Sequence, residues 1–329
     1  MTDLLLLSCV TLTLGATLSA LLVRRLIPWL SGKAKQPIYE VGPAWHISKS
    51  GTPTMGGIAF PLAIGLPMMI TVIISMLKDD NTAVGTELII SFLFMTFNAL
   101  VGLFDDLVKL RRRENAGLSP LQKILLQLLI TLLFLMARGH FMNDNSIIDL
   151  GVMSFDAGIW YYPLMTFLSL GIINCANLTD GIDGLASTTA ICISFCYLIL
   201  GLCLSITTLS VTAAAVFGCA IGFLIFNRHP ARIFMGDTGS LMLGAAAFCM
   251  TMTLGSPAIV IASGIVYVIE GVSVIIQVAV YKLTKKRLFK MAPLHHHLEK
   301  CGLSENRICI IAATVSLLGA IIGFLVARI

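Results

Sequence analysis

Apolar runs of about 17 to 25 residues, each able to cross roughly 30 Å of hydrocarbon, recur from Leu4 almost to the C-terminus. Lipid offers no partner for backbone N–H and C=O groups, so runs of this length fold as helices that satisfy those groups internally. Composition agrees. With 57% apolar residues, 12% charged residues and a mean hydropathy of +0.94, the chain lies outside the range of soluble globular proteins. The expectation is an all-α polytopic membrane protein, one integral membrane domain over residues 1–329.

Ten spans are expected. Five are separate runs at 4–23, 55–77, 88–104, 121–137 and 160–178, and a tenth lies at 308–327. Residues 185–226 would form a helix of about 63 Å at 1.5 Å per residue, twice a bilayer, so this run must turn back near the polar stretch 205–210. Residues 240–281 break likewise at Gly255-Ser256-Pro257, and Glu270-Gly271 is expected to interrupt the second helix of that pair. An even count puts both termini on one side.

Lys and Arg mark the cytosolic face. Loops 24–54, 105–120, 227–239 and 282–307 hold eighteen of the 22 basic residues, whereas Lys78, Arg138 and Arg328 fall opposite and Lys123 begins the fourth span. The termini are therefore expected outside and the basic loops inside. Charges placed beside spans suit anionic headgroups or phosphate-bearing substrates, not nucleic acid. Arg24-Arg25 follow the first apolar run, the reverse of a cleavable signal peptide. The nine cysteines form no CxxC, which argues against zinc and structural disulfides. Residues 146–155 alternate around Gly151, as in a short hairpin.

Five of the seventeen acidic residues, Asp105, Asp106, Asp180, Asp183 and Asp237, come from three inner loops close to span ends. Ten spans would bring them together around one cleft at the cytosolic interface. Carboxylates with Asn and backbone oxygens, and no thiolate, suit a hard cation such as Mg²⁺ or Mn²⁺. Singly, each acid has a plainer reading as a helix terminator or an arginine partner. Asp105 and Asp106 point about 100° apart on a helix, so they serve different roles. Lys109, one turn beyond Asp105, reads either as an ion pair or as a phosphate contact.

Asn174, Asn177, Asp180 and Asp183 recur at every third position in NCANLTDGIDGL (174–185). Two amides inside an apolar span face a polar cavity or bond to a neighbouring helix. In residues 234–240 (FMGDTGS), Asp237 reads as a metal ligand or as an N-cap for span eight with Thr238, and Phe234 is placed to stack on a nucleobase. In residues 49–57 (KSGTPTMGG), Lys49 and a Pro-led helix start suit an anion, or Thr52 and Pro53 simply cap the helix, which leaves Gly56-Gly57 to permit close approach of backbone or substrate. His295, His296 and His297 are adjacent and cannot converge on one ion from regular structure; they read as phosphate-side hydrogen-bond or proton donors, or as a solvated basic loop.

These motifs, with residues 292–299 (APLHHHLE) and the Asp105-Asp106 pair followed by Lys109, resemble the phospho-N-acetylmuramoyl-pentapeptide-transferases, the MraY translocases of the polyprenyl-phosphate N-acetylhexosamine-1-phosphate transferase superfamily, along nearly the whole chain. The resemblance implies UDP-MurNAc-pentapeptide as donor, undecaprenyl phosphate as acceptor, lipid I and UMP as products, Mg²⁺ as cofactor, a homodimer, and the bacterial cytoplasmic membrane as the location. It also implies Asp237 as the Mg²⁺ ligand, Asp105 and Asp106 as the catalytic pair, and Asp183 with Phe234 as the uracil site. Lys49, Lys109, Asn177, Asp180, His295 and His296 would then line the phosphate and sugar pocket. Two alternatives stand beside it: a GlcNAc-1-phosphate transferase for another polymer, against which the histidine triplet argues, and a secondary transporter or lipid flippase, for which Glu270 within a span would be the coupling acid.

Overall fold

A computed structural model describes residues 2–32, 49, 51–77, 82–112, 116–142, 146–150 and 153–326. Lys78, Gly151 and Arg328 lie outside the described residues, as does Ser50 of the 49–57 motif. The chain is helical, with α1 Thr2–Ser31, α2 Phe60–Leu77, α3 Thr82–Arg112, α4 Pro120–Phe141, α5 Tyr161–Thr179, α6 Leu185–Cys203 and α7 Thr207–Asn227. There follow α8 Gly236–Leu254, α9 Pro257–Ser263, α10 Ile265–Thr284, α11 Leu294–Lys300 and α12 Glu305–Val326. Strands β1 (Ile147–Asp149) and β2 (Ser154–Asp156) form the expected antiparallel hairpin.

Among the described residues nine helices are long and apolar enough to cross a membrane, so the chain is a multi-pass membrane protein. Helix α8, the expected eighth span, is not among the nine. It is enclosed by other helices, with 15 of its 19 residues buried, and Gly102 of α3 and Gly244 of α8 let α3 and α5 approach it closely. The two long runs divide where their polar residues require: α6 and α7 part at residues 204–206, and α8 ends at Gly255, whose φ of 74° ends the helix, with Pro257 opening α9. One expectation is corrected. Helix α10 passes through Glu270-Gly271 without a break, and the irregularity falls earlier, at Gly264 between α9 and α10. The Glu270 side chain has a partner, described below, so nothing forces the backbone open there.

Packing follows membrane rules. On α1 the buried positions Ser8, Thr11, Gly15, Ser19 and Val23 form one stripe, set against glycines of α7. A Cβ on Gly218 would lie 2.2 Å from the Leu12 carbonyl oxygen. Small residues let backbones touch where lipid supplies no hydrophobic drive. Phe94, Phe134 and Phe248 lock α3, α4 and α8 together, with ring centroids 4.3 to 6.0 Å apart. At the opposite end from the acidic residues, Arg138 of α4 is buried and paired. It donates to Glu87 Oε1 at 2.8 Å and to the Met252 carbonyl at 3.1 Å, while Thr253 also donates to Glu87.

Candidate active site

The N-terminus of α8 organises the site. Its first amides have no partner within the helix, and Asp106 of α3 supplies one. Its carboxylate accepts from Asp237 N (3.1 Å), Thr238 N (3.0 Å) and Thr238 Oγ1 (2.7 Å). The amides are therefore capped by Asp106, brought from another helix; the alternative reading of Asp237-Thr238 as the cap fails, since both residues lie inside α8. Close approach makes this possible: a Cβ on Gly102 would lie 2.2 Å from the Asp237 carbonyl oxygen. The glycine pair 56–57 has the same use. Gly56 and Gly57 donate to the Phe234 and Met235 carbonyls at 2.8 and 2.9 Å, and a Cβ on Gly57 would meet the Gly239 amide at 2.2 Å. These two amides are thus spent on α8's approach loop rather than offered to an anion.

Asp237 is thereby held facing Asp105, and two lysines bridge them. Lys109 lies 2.6 Å from Asp105 Oδ2 and 3.2 Å from Asp237 Oδ1; Lys123 lies 3.1 Å from Asp105 Oδ1 and 2.6 Å from Asp237 Oδ2. Asp105 is fully buried and also accepts from the Leu118 amide at 2.7 Å. Asn177 donates to Asp237 Oδ1 (3.1 Å) and Ser240 Oγ (2.8 Å). Oxygens of Asp105, Asp106 and Asp237 lie within 4.8 Å of one another. A cavity of about 840 Å³ opens here, lined by Asp105, Lys109, Lys123, Asn177, Asp180 and Asp237 among others, with Arg112 at its edge. Asp180, in the turn after α5, has its carboxyl pushed well above the usual range, first by desolvation and then by the charges of Asp237 and Asp106.

The three-residue series divides. Asn174 bonds to Gln127 of α4 at 2.8 Å and to its own helix, the helix-to-helix reading, whereas Asn177 reaches the acidic cluster. Asp183 belongs to a second cluster. Its oxygens accept from Lys49 Nζ (2.6 Å) and the Ala231 amide (3.0 Å) and bond His229 Nδ1 (2.9 Å). Its own amide donates to Glu305 Oε2 at 2.7 Å, which also takes Lys49 at 2.7 Å. Lys49 is thus placed with Asp183 and Glu305, not with Lys109. Phe234 is half-buried on the strand-like segment between the two clusters, its amide bonded to the Pro53 carbonyl at 2.8 Å.

The histidines of α11 point three ways. His295 is fully buried against Glu270 of α10, His296 bonds Glu299 at 2.7 Å, and His297 accepts from the Lys290 amide at 3.2 Å. Sequence reasoning missed Lys123, His229 and Glu305. Lys123 carried a signal, a cation one turn into an apolar span beside the Ser119–Gln122 capping box; nothing local marks Glu305 or His229.

Residues 88–255 match the family description "Glycosyl transferase family 4". Residues 49–60 match "Phospho-N-acetylmuramoyl-pentapeptide-transferase signature 1". Proteins named phospho-N-acetylmuramoyl-pentapeptide-transferase are similar over nearly the full length. The one from Bacillus licheniformis is 41% identical over 318 residues, covering 95% of each chain. That from Bacillus mycoides is 39% identical over 317 residues, 95% of this chain and 96% of its own. That from Clostridium botulinum is 38% identical over 315 residues, 95% of this chain and 94% of its own.

Proposed function

The chain belongs to the phospho-N-acetylmuramoyl-pentapeptide-transferase family, and from that premise we propose that it transfers phospho-MurNAc-pentapeptide from UDP-MurNAc-pentapeptide to undecaprenyl phosphate, forming lipid I and UMP for peptidoglycan synthesis. The observation that carries the site assignment is the bridging of Asp105 and Asp237 by Lys109 and Lys123 at the mouth of a cavity large enough for a nucleotide pyrophosphate.

In this reading the lipid phosphate oxygen attacks the sugar-bearing phosphorus as the anhydride bond to UMP breaks. One phosphoanhydride replaces another, so the reaction runs near balance. Phosphoryl transfer needs positioning and charge neutralisation above all. Lys109 and Lys123 hold the diphosphate oxygens, Asp105 takes any residual proton from the acceptor, and Asn177 orients Asp237. Asp106 has its carboxylate engaged with the α8 N-terminus and Asp105 is gripped by two lysines and an amide; this favours direct attack over a phospho-enzyme intermediate. Asp183 and Phe234 take the uracil. Lys49 stands with them, Asp180 lines the cavity beside the phosphates, and His296 and His295 act on the sugar side from α11.

The donor set fits Mg²⁺: three carboxylates with an amide and a hydroxyl beside them, and no thiolate in the cluster. Asp237 would be the principal ligand, with Asp105 and Asp106 beside it. Such an ion supplies neutralisation of the charge that builds on the diphosphate oxygens. The two ammonium groups meanwhile offset the carboxylate charge. We further propose ten spans with α8 as the central one, outward termini, a cleft open to the cytosol of a bacterial inner membrane, and a homodimer.

Purified protein given labelled UDP-MurNAc-pentapeptide and undecaprenyl phosphate, without any ion gradient, should release UMP and form labelled lipid. Equal or better turnover of UDP-GlcNAc would overturn the donor assignment. The transporter alternative loses its main support, because Glu270 is paired with His295 rather than free for ion coupling. Orientation is tested by single cysteines at His140 and Met291 in a background lacking accessible thiols. An impermeant reagent should label position 140 from outside intact cells and leave position 291 untouched; the reverse pattern overturns the orientation.

A further inference from the structure

Glu270 and His295 are buried titratable groups for which the transfer just described has no direct use. Glu270 lies in a membrane-spanning helix and is 5% exposed. A carboxylate there is expensive unless paired. Its Oε2 bonds His295 Nδ1 at 3.1 Å and accepts the His295 backbone amide at 3.3 Å. One oxygen therefore fixes both the ring and the start of α11.

The far side of the imidazole decides what the pair can do. His295 Nε2 is buried with no hydrogen-bond partner, and it faces Gly181 so closely that a Cβ there would lie 2.1 Å from Nε2 and 2.7 Å from Cε1. Gly181 sits in the turn 180–183, which carries Asp180 to the first cluster and Asp183 to the second. A proton donor or base must come within about 2.6–3.2 Å of its target atom. This nitrogen is walled off by backbone, and the other is held by Glu270. A second close approach pins the same assembly: a Cβ on Gly271 would meet Cys175 Sγ at 2.2 Å, locking α10 onto α5 shortly before Asn177. His296 lies against His295, the ring centroids 4.2 Å apart and the planes tilted by 60°.

We infer that Glu270 and His295 form a buried strut that sets the 180–183 turn, so that His295 is a positioning residue for the proposed transfer and does not touch substrate. The strut runs from α10 through the α11 imidazole to Gly181 and holds Asp180 and Asp183 at the spacing that the diphosphate and the base require. The inference rests on the transfer reading above and narrows the part His295 plays in it.

A double-mutant cycle in the full-length protein tests it. Gly181→Ala pushes the turn off the ring, and a displacement near 1 Å costs on the order of 10²-fold in turnover. His295→Ala removes the wall and lowers kcat as well. In Gly181→Ala/His295→Ala the methyl has room, so kcat should recover about tenfold over Gly181→Ala alone. His295→Asn should keep the wild-type shape of the pH profile of kcat, since no proton passes through the ring. A double variant no more active than Gly181→Ala, or a limb of the profile missing in His295→Asn, overturns the strut. Should Gly181→Ala fail to accumulate in the membrane, Glu270→Gln decides. It should lower kcat about tenfold with the profile unmoved, and an unchanged kcat overturns the proposal. Wild-type protein inactive on UDP-MurNAc-pentapeptide refutes the transfer reading itself, whereas an active wild type with an additive cycle refutes only the strut.

Discussion

The Asp105–Asp237 cluster and the Asp183–Glu305 cluster are linked through the turn 180–183 and the segment 231–237, and both hold an aspartate with lysine, yet they differ in their access to the cavity. Asp237 faces two ammonium groups on long stems and the cavity beyond them. Asp183 is 2% exposed and held by a backbone amide, a histidine and Lys49, while its own amide is tied to Glu305. Charge balanced by mobile side chains can be rebalanced when a cation and a diphosphate arrive. Asp183 adds the Ala231 amide to its lysine and histidine partners, and its own amide is tied to Glu305, so it cannot shift without moving the loop. The first arrangement suits chemistry; the second suits a rigid wall against which a base is read.

The sharpest way to break this contrast is Asp237→Asn. The amide is nearly isosteric and leaves the α8 cap on Asp106 intact, so the fold should persist while turnover falls about 10³-fold or more through loss of an anionic oxygen at the proposed metal site. Mn²⁺ titration followed by electron paramagnetic resonance should show one tight site in the wild type, much weakened in Asp237→Asn and little changed in Asp183→Asn. Equal weakening in both would erase the distinction between the clusters.

From the other side, Glu305→Ala should act on stability first. It leaves Lys49 and the Asp183 amide without their common acceptor; Lys49 and Glu305 retain some solvent contact, which screens the loss to about 1–3 kcal/mol. Thermal unfolding in detergent should fall while Mn²⁺ affinity holds. A lost Mn²⁺ site would mean the second cluster is not merely a wall.

The pH dependence of metal binding refines the first cluster. Burial and the neighbouring Asp237 and Asp106 charges keep a proton on Asp180 above the usual carboxylate range. Raising the pH removes that proton and adds negative charge to the cavity, so Mn²⁺ affinity should rise with pH. Asp180→Asn should flatten the slope, and an unaltered slope would exclude Asp180 as its source. The smallest effect is expected from Thr238→Val. It deletes one of three bonds to Asp106, worth about 1 kcal/mol, and turnover should fall by no more than about tenfold. A larger loss would show that the cap, rather than Asp237 itself, limits the site.

Much of this was legible from the chain alone. The run lengths of 185–226 and 240–281 forced breaks at the positions where α6 meets α7 and α8 gives way to α9. Of the two readings of Lys109, the ion pair with Asp105 is present, and the same side chain lines the cavity. The break at Gly264 was missed because Glu270 looked too costly for an unbroken helix; its partner His295 lies 25 residues on, beyond any local pattern. Glu305 was missed for the same reason, since its bond to Asp183 spans 122 positions.

The sequence by itself determined the lipid-facing helical class, the places where helices must end, and the short polar motifs on which the family membership rests, because hydrocarbon thickness and backbone satisfaction leave few solutions for runs of this length. Only the tertiary structure decided that Asp106 caps α8, that Lys49 belongs with Asp183, and that the His295 imidazole is buried between Glu270 and Gly181. Those outcomes depend on which backbones approach within van der Waals contact, as at Gly57, Gly102 and Gly181, and a contact between distant helices leaves no periodic trace in either of them.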